Sequence, residues 1–388
     1  MQLDTEGAGD AQPQIEQPSL VPDPTVHAAL IKVPAVDLAA NLRISRAGGH
    51  SYSSVLGELL KLQMGPGKLS VHEYFYYRLW DSALSLDEKR EFVGREREWR
   101  LHNACNDEAF RDAVADKLRF HEAMLAAGLP VPQLLGIVHG SRQIAGIPTL
   151  DSAEKLSAFF IGETSYPMFG KPIDGMFSLG VFRADGCDVE NGRLVMHDGT
   201  RPAIDDCAAQ IAGHTQGYLL QRALLSNAEI AARFGDRRWS VRLLIFLTPD
   251  GPQVASAVCK IPTGANIADN FWRGNMLGAV EIGTGTIVRT VRGTGAEMQI
   301  DSPHPDTGGA ITGTAVPDWN AVLTVVREAA ATLPGIRTQS WDIALTDRGP
   351  IILEANYGGD LNLGQLAWGR GVLTAQYRAH LARCGFKA

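Results

Sequence analysis

The sequence predicts a mixed α+β fold with more than one domain. Apolar residues recur at helical spacing in the first third of the chain and near its end, whereas short β-prone runs separated by turn residues occupy the middle. The chain has 388 residues, 45% hydrophobic and 20% charged, as in globular proteins with a sizeable core. Its net charge of −7 argues against nucleic acid or an anionic membrane as the main partner.

The cysteines and the hydropathy pattern indicate the cellular compartment in which the protein acts. The five cysteines contain no C-x-x-C pair, which favours reduced thiols and argues against a zinc site. No apolar run approaches the roughly 20 residues that cross a bilayer. The first residues also lack the charged-then-apolar pattern of a secretory signal. We therefore expect a cytoplasmic protein that does not act at a membrane.

The first 108 residues divide into a tail and a helical region. Residues 1–27 are rich in Gln, Pro, Gly and Asp, so they bury too little apolar surface to offset chain entropy and are predicted to be disordered. Over residues 28–108 the apolar spacing predicts helices. One lies around Leu59, one follows the cap Ser70, and a charged, exposed one covers residues 85–100.

Residues 109–222 are predicted to form a first α+β unit. A helix over 109–127 is stopped by Gly128 and Pro130. Short strands separated by turn residues follow it. They are expected over residues 134–138, 166–171, 180–183 and 218–221, with a surface hairpin over 187–200.

Residues 223–388 are predicted to form a second α+β unit. Strongly apolar strands over 239–247 and 253–261 precede a glycine-rich stretch that contains further short strands. Pro317 and Asp318 then open an amphipathic helix. A hairpin over residues 340–356 and a closing helix over 363–384 complete the chain.

The predicted hairpin brings polar groups together. A three-residue loop, Asp347 to Gly349, with Gly349 in the left-handed conformation, places Asp342 directly opposite Glu354. Asn356 shares a face with Glu354 because strand side chains alternate. Two carboxylates and an amide oxygen suit Mg²⁺, which completes its shell with phosphate oxygens. A four-residue loop would separate these groups, and an ordinary hairpin with exposed acids is the alternative.

Several basic residues precede this hairpin. Lys171 ends an apolar strand and is followed by a glycine-rich turn over 174–180, so its ammonium and nearby backbone N–H groups suit a polyphosphate. The chain has no Walker A motif, and a chance loop beside a lysine is the alternative. Arg242 interrupts an apolar strand and must reach either an anion or the surface. Lys260 and Arg273 add positive charge, which predicts a phosphate-and-metal site.

The order of these blocks resembles the ATP-grasp superfamily. The blocks are the run 116–132 with its Gly-x-Pro-x-Pro exit, the strand 169–172 with its loop, the hinge segment 219–223, the strand 240–243, and Asp342 with the Glu-Ala-Asn of 354–356. The amino-acid sequences of residues 69–79, 341–345 and 349–356 are similar to those of the branch called sugar-transfer-associated ATP-grasp proteins.

The resemblance implies an ATP-grasp fold, in which two α+β subdomains clasp ATP and magnesium behind an N-terminal, mainly helical region. It implies catalytic roles for Arg242, Lys171 and Arg273 and metal binding by Asp342, Glu354 and Asn356. Nine residues are implied to hold the nucleotide: Lys117, Lys171, Gly175, Phe177, Ser178, Gln221, Ala223, Glu229 and Lys260.

The sequence departs from the superfamily at two places. Gln221 stands where many members have Glu, and Tyr357-Gly358-Gly359-Asp360 replaces the Ser-x-Pro-Gly that is commoner in ligases. In the superfamily this second segment commonly borders the acceptor pocket, so the resemblance leaves the substrate as the least determined feature.

The activity that the resemblance implies is an ATP- and magnesium-dependent ligase. A small-molecule or peptide carboxylate would be activated as an acylphosphate and then captured by an amine or another nucleophile, with Arg242 stabilising the developing oxyanion. The alternatives are a phosphotransferase with an alcohol acceptor and a nucleotide-binding protein without turnover. A homodimer would be ordinary for the superfamily.

Overall fold

The computed structural model describes residues 37–162, 166–175, 179–264, 266 and 269–386. Within those residues the chain forms two antiparallel sheets flanked by helices, which confirms the predicted α+β class and the helical N-terminal region. The predicted tail, residues 1–27, lies outside the described residues, as do Phe177 and Ser178. The predicted domain boundaries at 108/109 and 222/223 stay predictions.

In its described part, from residue 37 onward, the N-terminal region contributes five α-helices. They are α1 (Leu38–Ala47), α2 (Tyr52–Gln63), α3 (Val71–Tyr76), α4 (Leu86–Lys89) and α5 (Arg95–Cys105). The single exposed helix predicted over 85–100 is wrong, because the chain is extended at Gly94 and divides α4 from α5. The Val93 N–H donates to the buried Gln365 Oε1 at 2.6 Å, so this break docks against the C-terminal part of the fold.

A second predicted helix is also divided. Residues 109–127 form a 3₁₀ turn, then α6 (Arg111–Ala115) and α7 (Lys117–Ala126). Asp116 has extended backbone angles and caps α7 by accepting from the N–H groups of Leu118 and Arg119. Arg142 holds the same carboxylate at 2.7 and 3.0 Å, and this tertiary contact is what interrupts the helix.

The first sheet has five strands in the order β1–β5–β2–β3–β4. Their bounds are β1 Leu134–Val138, β2 Met168–Pro172, β3 Phe182–Asp188, β4 Arg193–Met196 and β5 Tyr218–Arg222. Helices α8 (Ala153–Gly162) and α9 (Ile204–Ala212) pack on one face, where Met168 and Leu220 lie in their core. Because side chains alternate, Phe169, Lys171 and Gln221 lie on the opposite face.

The second sheet has seven strands in the order β10–β9–β8–β7–β6–β11–β12. Their bounds are β6 Ser240–Thr248, β7 Gly251–Ile261, β8 Met276–Val280, β9 Ile287–Arg292, β10 Gln299–Ile300, β11 Thr338–Thr346 and β12 Gly349–Asn356. Helices α10 (Ala228–Phe234) and α11 (Trp319–Ala331) contribute to the large core on one face. Asp318 precedes α11, as predicted.

The hairpin has the predicted pairing of Asp342 with Glu354, but it reaches this register by another route. Thr346 pairs with Gly349, not with Pro350, so the loop contains two residues and the predicted three-residue loop is wrong. Gly349 has the predicted left-handed φ of 88°. A bulge after Asp342 leaves Leu353 unpaired and shifts the register back by one residue.

Two further helices close the chain where one was predicted. Gly369, with a left-handed φ of 62°, ends α12 (Leu361–Trp368), and α13 (Ala375–Arg383) begins after the cap Thr374. Both helices pack against the face of the seven-stranded sheet that is opposite α11. None of the helices described is long and apolar enough to cross a membrane.

Candidate functional site

One face of the seven-stranded sheet carries a row of charged side chains. Arg242 on β6, Asp342 on β11 and Glu354 on β12 lie opposite one another across three adjacent strands. The Arg242 guanidinium binds both oxygens of Asp342, with Nε 2.8 Å from Oδ1 and Nη2 2.7 Å from Oδ2. Asp342 is only 2% exposed, so this bidentate pair is buried and strongly oriented.

Lys260, on β7, is a second buried cation. Together with Arg242, Asp342 and Asp269 it forms a buried charged cluster. Its Nζ lies 3.0 Å from Asp342 Oδ2 and 3.1 Å from Asp269 Oδ1. Asp269 also accepts a hydrogen bond from the Ser240 hydroxyl. Burial alone would raise the pKa of Asp342, but Arg242 and Lys260 hold that pKa below its usual value. The two cations and two carboxylates are therefore all charged at neutral pH and compensate one another.

Glu354 and Asn356 form the open end of the row. The Glu354 carboxylate has no hydrogen bond or ion pair with any described residue. The Asn356 Nδ2 atom is buried, and within the same residues it too has no partner. An amide can turn its oxygen to that position, and a carboxylate beside such an oxygen fits a hard cation such as Mg²⁺. Asp342 fits less directly, because Arg242 and Lys260 already share both of its oxygens.

Lys171, on β2 of the five-stranded sheet, approaches this row, and Lys117 lies close to Lys171. Burial and the charges of Lys117 and Arg238 lower the pKa of Lys171, the charge of Glu354 opposes them, and the resulting pKa is about 8. Lys117, the first residue of α7, donates its Nζ to the Gly175 carbonyl. Lys171 on one sheet and Glu354 on the other are thus close enough to interact, and they mark where the two sheets meet.

A cavity of about 380 Å³ opens on the face of the five-stranded sheet that carries Lys171, although neither lysine lines it. Phe169 lines it from β2, and Ala223 and Leu224 line it from the segment after β5. The Ala223 N–H is bonded to the Pro167 carbonyl at 2.9 Å, and Gln221, 4% exposed, pairs with Phe169. Ligand pockets are typically about 300–1,000 Å³. The cavity therefore has the size for a small molecule.

The sequence did not indicate Arg238 and Asp269, which both belong to this region. Arg238 lines the cavity, its Cζ lies 5.9 Å from the centre of the Phe169 ring, and its Nε is buried without a partner in the described part of the chain. Burial lowers its pKa, and the charge of Asp269 opposes that shift. Arg238 stands just before β6 and Asp269 in a turn-rich stretch. Nothing in their spacing signals a site, because only the tertiary fold brings them to Lys171 and Lys260.

Two predicted residues lie outside the charged cluster, and two more belong to the part of the chain that is not described. Glu229 is exposed in the first turn of α10 and does not line the cavity. The Arg273 guanidinium lies 4.8 Å from the ring of Trp272, and burial is the cause that lowers its pKa. No described contact joins Arg273 to Arg242 or Asp342. Phe177 and Ser178 belong to the part of the predicted phosphate loop that is not described.

A separate cluster brings together two of the five cysteines and a histidine. One ligand atom each from Cys105, His380 and Cys384 lies within 4.8 Å of the others, although the first and last are far apart in sequence. His380 Nε2 lies 3.0 Å from the Thr338 hydroxyl, and its ring stacks on Phe246 at 4.4 Å. The imidazole is therefore already engaged as part of a packed core.

The chain matches the sequence model of one family, described as sugar-transfer associated ATP-grasp, over residues 96–379. No curated protein matches it. Similar solved structures include N5-carboxyaminoimidazole synthase from Aspergillus clavatus, with 12% identity, a TM-score of 0.39 and coverage of 75% of this chain and 58% of that one.

Two further solved structures are similar at the same level. The L-amino acid ligase from Bacillus licheniformis has 12% identity and a TM-score of 0.37, with 69% of this chain and 48% of that one covered. The biotin carboxylase from Campylobacter jejuni has 10% identity and a TM-score of 0.41, with 71% and 47% covered. This chain spans about half the length of these structures. Because the family match extends from residue 96 to residue 379, the chain belongs to the sugar-transfer associated ATP-grasp family.

Proposed function

We propose that this chain is an ATP- and magnesium-dependent ligase that joins a small-molecule or peptide carboxylate to an amine or another nucleophile. The observation that carries the proposal is the approach of Lys171, on one sheet, to Glu354, on the other, beside the buried Arg242–Asp342 pair. Membership of the ATP-grasp family supports it. A cytoplasmic location and a homodimer stay predictions.

The cavity beside the hinge is the proposed nucleotide site. The base would lie against Phe169 and the segment Gln221–Ala223, which line or border the cavity. Lys171, Lys117 and Arg238 would hold the phosphates, because each brings positive charge to the inner side of the five-stranded sheet. Part of the loop over 174–180 would exclude water from them. Glu229, Lys260 and Arg273 have no contact that supports direct binding of the nucleotide.

Glu354 and Asn356, with Asp342 as a shared third ligand, would hold magnesium. The bound cation would supply Lewis-acid polarisation of phosphate oxygens. Lys260 and Arg242 keep Asp342 ionised and fixed, so its carboxylate is already oriented before the substrates bind.

The proposed reaction proceeds in two balanced steps. A substrate carboxylate oxygen bonds to the γ-phosphorus while the bond from that phosphorus to the β–γ bridging oxygen breaks, which releases ADP and leaves an acylphosphate. The nucleophile then bonds to the acyl carbon, inorganic phosphate leaves, and the nucleophile loses one proton. The contact of Arg242 Nη1 with Asp360, at 3.4 Å, is longer than the two bonds from this guanidinium to Asp342, so this end would be the one that stabilises a developing oxyanion.

A phosphate-release screen tests the proposal. ATP and magnesium are supplied with pairs of amino acids, small carboxylates and amines, and phosphate, ADP and condensed product are measured. A ligase yields ADP, phosphate and a new amide or ester in equal amounts. ADP with a phosphorylated alcohol and no free phosphate would instead identify a phosphotransferase. Tight ATP binding without turnover on any pair would identify a nucleotide-binding protein.

The low pKa of Lys171 predicts a pH dependence of ATP affinity. The ammonium of the free protein loses its proton near pH 8. Above that pH, ATP binding must be coupled to proton uptake, so we expect affinity to fall by up to about tenfold per pH unit between pH 8 and 9.5. Titration of the protein with MgATP across pH 7.5–9.5 measures it.

Lys171→Arg is the matched variant for that titration. A guanidinium stays charged throughout this range, so the variant should show a flat profile. The same fall in affinity in both proteins would mean that another group titrates and that Lys171 does not bind phosphate.

A further inference from the structure

A second cavity, of about 70 Å³, opens beside Arg242 on the side away from Lys260. It lies between the seven-stranded sheet and the C-terminal helices α12 and α13. Leu244, Phe246 and Ala255 line it from the sheet, and Leu361 and Val372 line it from the helical side. The cavity therefore has an apolar wall beside polar lining residues (Ser256, Ser340 and Gln365), and it adjoins the charged row of the proposed catalytic site.

Arg242 and Asp360 place a charge of each sign at the mouth of this cavity. Arg242 Nη1 and Asp360 Oδ2 lie 3.4 Å apart, a long contact compared with the two short bonds from Arg242 to Asp342. The Asp360 side chain is 46% exposed. It stands at the cap of α12 without capping the helix. Both groups can therefore exchange this weak contact for a ligand, while Arg242 stays anchored on Asp342.

Two aromatic residues of the lining have unused polar atoms. Trp368 Nε1 and the Tyr377 hydroxyl are buried without hydrogen-bond partners among residues 37–386 as far as these are described. The Arg370 guanidinium stacks on the Trp368 ring at 4.3 Å, at the exposed edge of the cavity. The lining thus offers apolar surface and two potential hydrogen-bond donors, but the inner wall has no charged partner for a charged side chain.

We infer that this cavity binds a small α-amino acid with an apolar side chain. The carboxylate lies at Arg242, the ammonium lies at Asp360, and the side chain enters between Leu244 and Val372. The size supports a single residue, since the cavity is several times the roughly 10–15 Å³ that one water needs but is too small for a peptide. A charged side chain is disfavoured, because burying it without a partner is costly.

This inference rests on the proposed function for its reaction, because the carboxylate held at Arg242 is the one that would receive the γ-phosphate. Binding itself does not require that reaction. Calorimetric titration with leucine, valine and methionine, without ATP, therefore tests the cavity alone. We expect these amino acids to bind, and glutamate and lysine to bind at least tenfold more weakly.

Two leucine analogues test the paired charges. 4-Methylpentanoate lacks the ammonium and 3-methylbutylamine lacks the carboxylate, and each should bind at least tenfold more weakly than leucine. In Asp360→Asn the preference for leucine over 4-methylpentanoate should shrink by about tenfold, because the ammonium has lost its anion. An unchanged preference in this variant would overturn the assignment of Asp360.

A cavity-filling variant supplies the structural control. A side chain at Gly364 in α12 would enter the cavity with room at its Cβ, where the nearest atom is Ser256 Oγ at 3.7 Å. Gly364→Leu should weaken leucine binding at least tenfold while leaving MgATP binding unchanged. Gly57→Leu, in α2, is the matched control, since a Cβ there meets no atom within 4 Å and Gly57 does not line the cavity.

The outcomes separate the two proposals. If MgATP is turned over with some substrate pair but no apolar amino acid binds, the cavity assignment is wrong and the ligase proposal stands. If amino acids bind and Gly364→Leu removes that binding, but ATP is never consumed, the cavity assignment stands and the ligase proposal fails. Equal leucine binding by wild type and Gly364→Leu overturns the inference.

Discussion

Glu354→Gln should lower ATP turnover by about 10²–10³-fold, the usual cost of deleting one group that stabilises transition-state charge. The substitution keeps the shape of the side chain and removes one negative charge from the open end of the row. Because the carboxylate makes no hydrogen bond or ion pair with a described residue, the free energy of unfolding should change by less than about 0.5 kcal/mol. Phosphate release under saturating MgATP and urea unfolding measure the two effects.

The matched control for this variant is Glu328→Gln. Glu328 is exposed on α11, which covers the opposite face of the same sheet, so it carries the same change in charge away from the site. The control should keep wild-type turnover. Full turnover in Glu354→Gln would mean that Glu354 does not hold the metal. An equal loss in both variants would point to net charge as the cause.

How far the sequence predicts this fold depends on whether local patterns or tertiary contacts decide each element. Alternation and turn chemistry are local, so the hairpin, its left-handed Gly349 and the pairing of Asp342 with Glu354 were predictable. The loop length was not, because a bulge next to Asp342 compensates a shorter turn, and a bulge leaves no clear sequence signature.

The helix breaks show the opposite case. Asp116 and Gly94 stand within stretches that have helical spacing, but distant partners, Arg142 for the first break and Gln365 for the second, draw the chain out of the helix. For the same reason the sequence could not indicate Arg238 and Asp269 as site residues, because their neighbours in the cluster come from other strands. The spacing of residues suggested the row Arg242, Asp342 and Glu354. Only the assembled sheets reveal that Arg242 and Lys260 together bind both carboxylate oxygens of Asp342.

Asp342→Ala should destabilise the protein by about 3–5 kcal/mol, the usual cost of removing one partner from a buried ion pair. The substitution leaves the Arg242 guanidinium without its two short bonds and Lys260 with only Asp269. Urea unfolding at pH 7 measures the loss. Since the folded pKa of Asp342 is lowered, its share of stability is present above the unfolded value near 3.9 and vanishes as the pH falls toward the folded pKa.

Two comparisons decide whether the buried charge causes that loss. Asp87→Ala removes an exposed ion pair with Arg90 and should cost no more than about 1 kcal/mol. The double variant Arg242→Met, Asp342→Leu removes both charges of the buried pair and leaves Lys260 paired with Asp269, so it should recover most of the stability lost in Asp342→Ala. If the double variant is as unstable as the single one, the cost lies in packing at Asp342 and not in the stranded guanidinium. A stable double variant without ATP turnover would mean that the buried pair serves the reaction at no net gain in folding stability.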